Sequence, residues 1–309
     1  MRMTDVFAQR LALSFEFFPP KTDEGFRKLC GEGGVLQQLY DLGPDYISCT
    51  YGAGGSNVGR NLEVLDCIAA DKKSIPVTHF TCIGNTRENI YEQLEIYLAH
   101  GIRHILALRG DLPLGWEGTH GDFQYATELV RFIRESFGNK FTIAVSGSPE
   151  GHIEAESLDK DIYYLKQKQD EGADYIMTQL CWDMDQFRRW MDKIRAAGVT
   201  LPVDVGVMPV LDQAATIRMS LNRNGCAMPR SLCELISKYW IFPDPFAKDP
   251  DDREAAVKKR AFREAGIEYT IRQIEEYRSC GIAGVHLYAL NKYDDVARIA
   301  RESGLARKA

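Results

Sequence analysis

Eight short apolar runs, rich in β-branched residues, recur along the chain, and each is followed by a polar segment with helical spacing. The runs occupy residues 12–18, 45–51, 76–82, 104–110, 142–148, 175–180, 202–210 and 284–290. Strands of this near-continuous apolar character, joined by helices, indicate a parallel sheet that is covered on both faces. Eight such units in about 300 residues are typical of a (β/α)₈ TIM barrel.

The segments between the runs agree with this interpretation. Helices are predicted over residues 86–100, 155–171 and 183–197. Several predicted helices are followed by a glycine just before the next run, where a left-handed C-cap is expected: Gly101, Gly172, Gly198 and Gly281. An open doubly wound sheet is the alternative fold, and the barrel is favoured because no low-complexity linker divides the chain.

The domain organisation follows from the same pattern. We expect residues 1–309 to form a single TIM-barrel catalytic domain. Residues 211–255 contain additional helical sequence and several prolines, so we interpret them as an elaborated seventh βα connection.

Composition excludes several classes of protein. The formal charge of −6 and the lack of a basic run with interleaved aromatics argue against a nucleic-acid-binding protein. No window is apolar enough to span a bilayer, and the amino terminus lacks a signal-peptide pattern, so a cytoplasmic location is expected. The eight cysteines include no Cys-x-x-Cys pair and no zinc-ligand spacing, which predicts neither a metal site nor a disulfide framework.

Polar residues recur at the carboxyl ends of the predicted strands. They are Glu16, Thr50, His79, Asp111, Glu150 with His152, Gln179 and Asn291. In a barrel, these ends meet at one face, where the chemistry of such folds is located. Each residue alone is more often a cap or a turn former, so the prediction of a site depends on the recurrence and on the barrel.

Glu16 is the most informative of these residues, because it lies within the apolar segment LSFEFFPPKT. Strand alternation places Ser14, Glu16 and Phe18 on the lumen face, and Phe15 and Phe17 beneath the helices. A carboxyl group in a poorly hydrated site has a raised pKa and can act as a general acid. The alternative is a carboxylate paired with a buried Lys or Arg.

Two motifs for other chemistries are incomplete. The glycine-rich segment TYGAGGSNVG lacks the Gly-x-Gly-x-x-Gly spacing of a Rossmann fold, so it is either a flexible βα loop or a phosphate contact. The segment SGSPEGH lacks the Gly-x-Ser-x-Gly elbow of serine hydrolases, which makes a serine nucleophile improbable.

Seven motifs occur in the order and spacing of the methylenetetrahydrofolate reductase family. They are SFEFFPPKT, TYGAGGS, HFTC, GIRHILALRGDLP, SPEGH, GADYIMTQL and VHLYALNK. Over about residues 12–305 the chain resembles the short, bacterial-type catalytic barrel of that family. The resemblance implies a flavoprotein barrel in which reduced FAD passes hydride to the one-carbon unit of 5,10-methylenetetrahydrofolate and produces 5-methyltetrahydrofolate.

The resemblance also implies roles for individual residues. Glu16 matches the general acid that protonates the departing nitrogen when the folate ring opens, Asp111 matches the aspartate near flavin and pterin, and Gln179 matches the amide that binds folate. The residues implied for FAD binding are Thr50, His79, Arg109, Gly110, Asp111, Tyr125, Ala126, His152, Asp161 and Lys168.

The chain departs from the family pattern at positions that bear on the electron donor. Ser148 and Gln213 stand where relatives usually have aromatic residues, and Cys181-Trp182 replaces Phe-Phe, so that Trp182 is a candidate replacement ring. NADH or NADPH is the donor that the resemblance implies, while a partner redox subunit is an alternative. A folate- or flavin-binding protein without turnover is a further alternative. Relatives commonly form homo-oligomers, and the same is expected here.

Overall fold

The computed structural model describes residues 2–51, 58–112, 115–222, 225–240 and 252–307. Within these residues eight strands form a closed parallel barrel in chain order, with β8 pairing to β1. The strands are β1 Ala12–Phe17, β2 Tyr46–Cys49, β3 Ile75–Thr81, β4 His104–Leu108, β5 Thr142–Gly147, β6 Tyr175–Thr178, β7 Val203–Val207 and β8 Gly284–Tyr288. Each predicted run overlaps one strand, and the sheet is closed, so the TIM barrel is confirmed and the doubly wound alternative is wrong.

Helices follow the strands and cover the outside of the barrel. In the described part of the chain they are α1 Met3–Gln9, α2 Asp23–Cys30, α3 Val35–Tyr40, α4 Val58–Asp71, α5 Arg87–Ala99, α6 Ala126–Phe137, α7 Leu158–Asp170, α8 Met184–Ala196, α9 Gln213–Leu221, α10 Arg230–Lys238, α11 Asp252–Arg278 and α12 Asp294–Glu302. None of these helices combines the length and the apolar character that crossing a bilayer requires.

Local sequence explains where the predicted helices begin and end. The side chains of Thr86 and Ser157 accept backbone N–H groups at the starts of α5 and α7, as N-cap residues do. The four glycines that were predicted to follow helices all have positive φ, between 70° and 104°. Each helix therefore ends where glycine relieves the steric cost of turning back toward the sheet.

The core has two layers separated by the barrel wall. Phe15 and Phe17 are fully buried in the large cluster between strands and helices, whereas Ser14 faces the lumen, as the alternation predicted. The amino-terminal end of the lumen is filled by a second cluster, in which α1 contributes Met3 and Val6. This plug leaves the carboxyl ends of the strands as the accessible face of the lumen.

Two predicted features lie partly or wholly outside the described residues. Most of the glycine-rich segment, at 52–57, lies outside the described residues. The two interpretations of it, a flexible βα loop and a phosphate contact, therefore both stay open. Residues 211–255 include α9, α10 and the start of α11, while 223–224 and 241–251 are not described. Their assignment as an elaborated seventh connection therefore stays a prediction. All eight cysteines are described and are free thiols.

Candidate active site

A cavity of about 1020 Å³ opens at the carboxyl ends of the strands. Small-molecule sites usually measure about 300–1,000 Å³, so this one has room for a large cofactor. The residues predicted to bind FAD all line it, as do Asp111 and Gln179. The barrel thus brings together side chains that are spread over more than a hundred positions of the sequence.

Glu16 lies behind the wall of this cavity, next to two imidazoles. Its carboxylate oxygen Oε2 is 3.3 Å from Nε2 of His79 and 3.5 Å from Nε2 of His286. The Glu16 side chain is only 12% exposed, and His79 is part of the cavity wall. The contact with His79 is electrostatic, because its Nε2 has no well-aligned hydrogen-bond partner among the described residues.

The predicted upward shift of the Glu16 pKa is wrong for the protein without ligands. Burial raises this pKa, but the nearby His79 and His286 lower it more, and the net effect brings it to about 2. The alternative, a carboxylate paired with a buried Lys or Arg, is also wrong. The ion-pair partners of Glu16 among the described residues are His79 and His286. Glu16 is therefore an ionised carboxylate that two imidazoles stabilise.

His286 is a site residue that the sequence analysis missed. It is fully buried in β8, and its Nδ1 and Nε2 lie 2.8 Å from the Ser14 hydroxyl and 3.2 Å from the Ser48 hydroxyl, respectively. Burial lowers its pKa, which keeps the imidazole neutral near pH 7. The alternation of the run GVHLYAL, which places His286 and Tyr288 on one face, is the signal that points to it.

The carboxylate and the two imidazoles also meet the distance expected of a metal-binding group, since one ligand atom of each lies within 4.8 Å of the others. Both nitrogens of His286 already contact serine hydroxyls, so its lone pair is engaged. We therefore interpret the group as an acid–base cluster held by electrostatic contacts. The prediction that the chain has no metal site stays a prediction.

A cationic region around Lys168 forms part of the cavity wall. Lys168 donates from Nζ to the Ser146 carbonyl at 3.1 Å; burial lowers its pKa, and the charge of Asp161 opposes this shift. Burial raises the pKa of Asp161, which Lys168 and His152 oppose. These residues come from α7 and from the strand-end loop before it; Asp161 and Lys168 are half-buried, and His152 is exposed.

The rim of the cavity carries a second cation and an aromatic pair. Arg109 contacts Glu154 at 2.5 Å, and both side chains line the cavity. Tyr125 is 61% exposed and is stacked on Tyr164, with ring centroids 6.3 Å apart and an interplanar angle of 10°. Such an exposed aromatic surface is suited to stacking on a planar ring of a ligand.

A sequence model of the family described as methylenetetrahydrofolate reductase matches residues 2–304 of the chain. The chain belongs to this family. It is 34% identical over 309 residues to methylenetetrahydrofolate reductase (NADH) 1 of Zea mays, a match that covers 96% of this chain and 49% of the maize protein. It is 30% identical over 283 residues to 5,10-methylenetetrahydrofolate reductase of Pectobacterium carotovorum subsp. carotovorum, covering 92% of this chain and 87% of that protein.

The chain spans about half the length of the eukaryotic methylenetetrahydrofolate reductases that it matches. Several of these relatives carry NADH or NADPH in their names. A solved structure from Clostridium thermocellum, described as an uncharacterized protein that binds two copies of 5-methyl-5,6,7,8-tetrahydrofolic acid, has a TM-score of 0.62 at 11% identity. That alignment covers 99% of each chain, and it supports the barrel fold alone.

The departures from the pattern of methylenetetrahydrofolate reductases have different structural settings. Ser148 lines the cavity, as its position predicted. Gln213 is buried and faces away, since its amide donates to the carbonyls of Ile236 and Tyr239. Trp182 is buried in the cluster beneath α10 and is absent from the cavity wall in the described structure, so the suggestion that it replaces a stacking ring is wrong.

The strand-end residue Asn291 has a structural role. Its side chain accepts from Phe18 N–H at 2.9 Å and donates to the Phe18 carbonyl at 3.0 Å. These two bonds join the chain after β8 to the chain after β1, and they hold the segment that carries Glu16.

The cavity wall fits the FAD that methylenetetrahydrofolate reductases are expected to use. Among the described residues, His79 Nε2, Thr81 Oγ1 and Glu150 Oε1 are buried in this wall without a hydrogen-bond partner. Buried polar atoms normally have partners, so a polar ligand would complete the site. The volume, the cations Arg109 and Lys168, and the exposed ring of Tyr125 suit a dinucleotide with a pyrophosphate and two ring systems.

Proposed function

We propose that the chain catalyses the FAD-dependent reduction of 5,10-methylenetetrahydrofolate to 5-methyltetrahydrofolate, with NADH or NADPH as the electron donor. The observation that carries the proposal is the position of Glu16, a shielded carboxyl group 3.3 Å from His79, which lines a cavity together with the other residues implied for flavin binding and with Gln179. Membership of the family and the names of its relatives support the reaction type.

Glu16 is proposed to protonate the nitrogen that departs when the five-membered folate ring opens. The free protein holds it as a carboxylate, so it must gain a proton before this step. Flavin and folate in the cavity would remove the remaining water from a side chain that is 12% exposed. Burial is already the largest influence raising its pKa, and further loss of water shifts the balance toward the acid form.

Asp111 and Gln179 are proposed to orient the folate. Both are exposed side chains in the cavity wall. The negative charge of Asp111 favours the cationic form of the opened folate, and the amide of Gln179 offers both a donor and an acceptor to a pterin edge. The Gln179 backbone N–H donates to the Gly147 carbonyl at 2.8 Å, which fixes the residue to the end of β5.

The flavin site is proposed to be formed by the cationic region and by the rim. Lys168 and Arg109 would balance the pyrophosphate charge, and Tyr125 would pack against a planar ring. Bound FAD would supply hydride transfer, accepting hydride from the donor and passing it to the one-carbon unit of folate. The chain's own residues would bind FAD and folate, orient them and supply the proton.

Anaerobic half-reactions test the proposal. The purified protein is expected to be yellow, and NADH or NADPH should bleach its flavin within a stopped-flow experiment. Reduced protein mixed with 5,10-methylenetetrahydrofolate should regain the flavin colour and release 5-methyltetrahydrofolate. Folate turnover with artificially reduced flavin but slow bleaching by both nucleotides would instead support a partner redox subunit as donor.

The catalytic proposal would be rejected if the protein binds folate or flavin but releases no 5-methyltetrahydrofolate. The expectations of a homo-oligomer and of a cytoplasmic location stay predictions. Light scattering of the purified chain tests the first of them.

A further inference from the structure

Three polar side chains form one layer across the barrel lumen, directly below Glu16. Ser14 in β1 is the register partner of Tyr46 in β2 and of His286 in β8, so all three side chains point into the lumen at the same height. All three are fully buried. Glu16 lies one step higher on the same face of β1, since alternate residues of a strand share a face.

Contacts connect this layer to a second buried carboxyl group. The hydroxyl of Tyr46 donates to Oδ2 of Asp204 in β7 at 2.7 Å. The Ser14 hydroxyl lies 2.8 Å from Nδ1 of His286 and 3.4 Å from the Val285 carbonyl, and Ser14 and Tyr46 are register partners on adjacent strands. The rings of Tyr46 and His286 are stacked, with centroids 5.3 Å apart. The series ends at Nε2 of His286, 3.5 Å from Glu16.

Asp204 has no evident structural reason to be a carboxylic acid. It is fully buried, and no Lys or Arg of the described residues forms an ion pair with it. Its Oδ1 lacks a hydrogen-bond partner, and a side chain at Gly284, its register partner, would press on this oxygen at 2.7 Å. An unpaired buried carboxylate is costly, so this group favours holding a proton.

We propose that Asp204 stores the proton that Glu16 delivers, and that Tyr46, Ser14 and His286 pass this proton between the two carboxyl groups. The inference rests on the proposed function, because it concerns the acid of the folate step. Asp204 does not touch the cavity, so it is a positioning residue that acts through Glu16.

Each group in the series gives one proton and receives one. When Asp204 is protonated, its O–H donates to the Tyr46 oxygen. The Tyr46 O–H then donates to Ser14, and the Ser14 O–H donates to Nδ1 of His286. The Nε2–H of His286 is left facing the Glu16 carboxylate at 3.5 Å and the Ser48 hydroxyl at 3.2 Å.

Moving one proton along every link reverses this arrangement. Asp204 becomes a carboxylate, His286 carries its proton on Nδ1, and Glu16 becomes a carboxylic acid. The net change is the transfer of one proton, and no bond between heavy atoms forms or breaks. After Glu16 has protonated the folate nitrogen, water that enters when the product leaves restores its proton, and the same series returns that proton to Asp204.

The groups that face Asp204 are compatible with this role. They are Tyr46, Tyr175, Tyr288, Asp45 and, beyond them, Glu16. Asp45 is neutralised by its own ion pairs to Arg10 and Arg307. Burial raises the pKa of Asp204 to about 7, so this group can release its proton near neutral pH. Burial lowers the pKa of His286 and keeps it neutral, so His286 passes a proton on by changing its tautomer.

The position of the His286 proton tests the proposal without any folate turnover. In protein labelled with ¹⁵N-histidine, wild-type His286 should carry its proton on Nε2 at about pH 6 and on Nδ1 at about pH 8, on either side of the Asp204 pKa of about 7. Asp204→Asn and Tyr46→Phe should abolish this change of tautomer.

Tyr175→Phe is the matched control and should retain the change. It removes a buried hydroxyl near Asp204 that has no hydrogen-bond partner among the described residues. A wild-type tautomer that does not change, or a change that persists in Asp204→Asn, would overturn the proposal.

Single-turnover kinetics separate this inference from the proposed function. With reduced flavin, Asp204→Asn should slow folate reduction on the order of tenfold while flavin reduction by the donor stays within about twofold of wild type. Unaltered folate reduction in a folded, flavin-loaded Asp204→Asn protein would overturn the inference and leave the proposed function intact. If the wild-type protein itself produces no 5-methyltetrahydrofolate, the proposed function fails, whereas the tautomer experiment still reports on the proton series.

Discussion

Nε2 of His79, a residue of the cavity wall, lies 3.3 Å from the carboxylate of Glu16. The two residues come from β3 and β1, and β2 lies between these strands. Burial alone would favour the acid form of Glu16, and the imidazoles reverse that preference in the free protein. Glu16 therefore needs both bound ligands and a proton donor to reach the acid form that the proposed reaction requires.

Glu16→Gln should separate the two half-reactions. The amide preserves the shape of the side chain but has no proton to give, so folate reduction should fall by about a hundredfold or more. Reduction of bound flavin by NADH or NADPH should stay within about twofold of wild type. Glu16→Asp is the matched control, since it keeps an acid one methylene further from the substrate and should retain part of the rate. Equal losses in both half-reactions would show that Glu16 is structural.

His79→Gln should raise the pKa of Glu16. Burial is the largest influence and acts upward, and His79 is the largest influence that acts downward, so its removal moves the pKa up from about 2. A ¹³C-NMR titration of labelled glutamate in the absence of folate measures this shift. His100→Gln, at the exposed end of α5, is the control and should leave the titration unchanged. No shift in His79→Gln would contradict the electrostatic assignment.

Asp204→Asn should stabilise the fold more at high pH than at low pH. The folded-state pKa of about 7 is above the ordinary value of 3.8, so this group stabilises the protein fully below 3.8 and progressively less as the pH rises through 7. The stability gained by the variant should be larger at pH 8 than at pH 5 by about 2–3 kcal/mol. Urea unfolding of both proteins at the two pH values measures this difference. A gain that does not depend on pH would mean that Asp204 does not hold a proton.

Lys168→Met should weaken flavin binding. The side chain is half-buried and lines the cavity, so it can form a charge-assisted hydrogen bond worth about 1.5–3 kcal/mol, which corresponds to roughly a tenfold to a hundredfold change in affinity. Fluorescence titration of the apoprotein with FAD measures this loss. Lys166→Met is the control, because Lys166 lies on the same helix, pairs with Asp170 and is not part of the cavity wall in the described structure. Equal affinity in the two variants would place the flavin phosphates elsewhere.

Gln213→Ala should cost stability and leave the electron donor reaction unchanged. Its amide is buried and donates to two carbonyl groups at the end of α10, and losing these bonds should cost about 1–3 kcal/mol. Denaturant unfolding gives the cost, and the rate of flavin bleaching by NADH gives the comparison. A slower bleaching rate at full flavin occupancy would return Gln213 to the donor site.

The barrel could be predicted from the sequence because its signals are local. Each strand is an apolar run, and glycines such as Gly101 and Gly172 end the helices at positive φ. The alternation of Ser14, Phe15 and Glu16 assigned each side chain to its face of the wall. Most predicted site residues reached one cavity because parallel strands end at the same side of a barrel.

The contents of the lumen could not be predicted in the same way. His286 and Asp204 are separated from Glu16 by 270 and 188 positions, and each was only one polar residue in an apolar run. Trp182 and Gln213 were expected near the ligands, yet both face the packing beneath α10. Which of two faces a loop residue takes depends on the helices packed around it.

The sequence by itself determined the order of strands and helices, the closed barrel and the face on which the polar strand ends meet, because these depend on periodicity and on chain connectivity. The tertiary structure alone decided the charge of Glu16. Its pKa is set by burial and by two imidazoles from β3 and β8, and both influences act over a few ångströms of space between residues far apart in the chain.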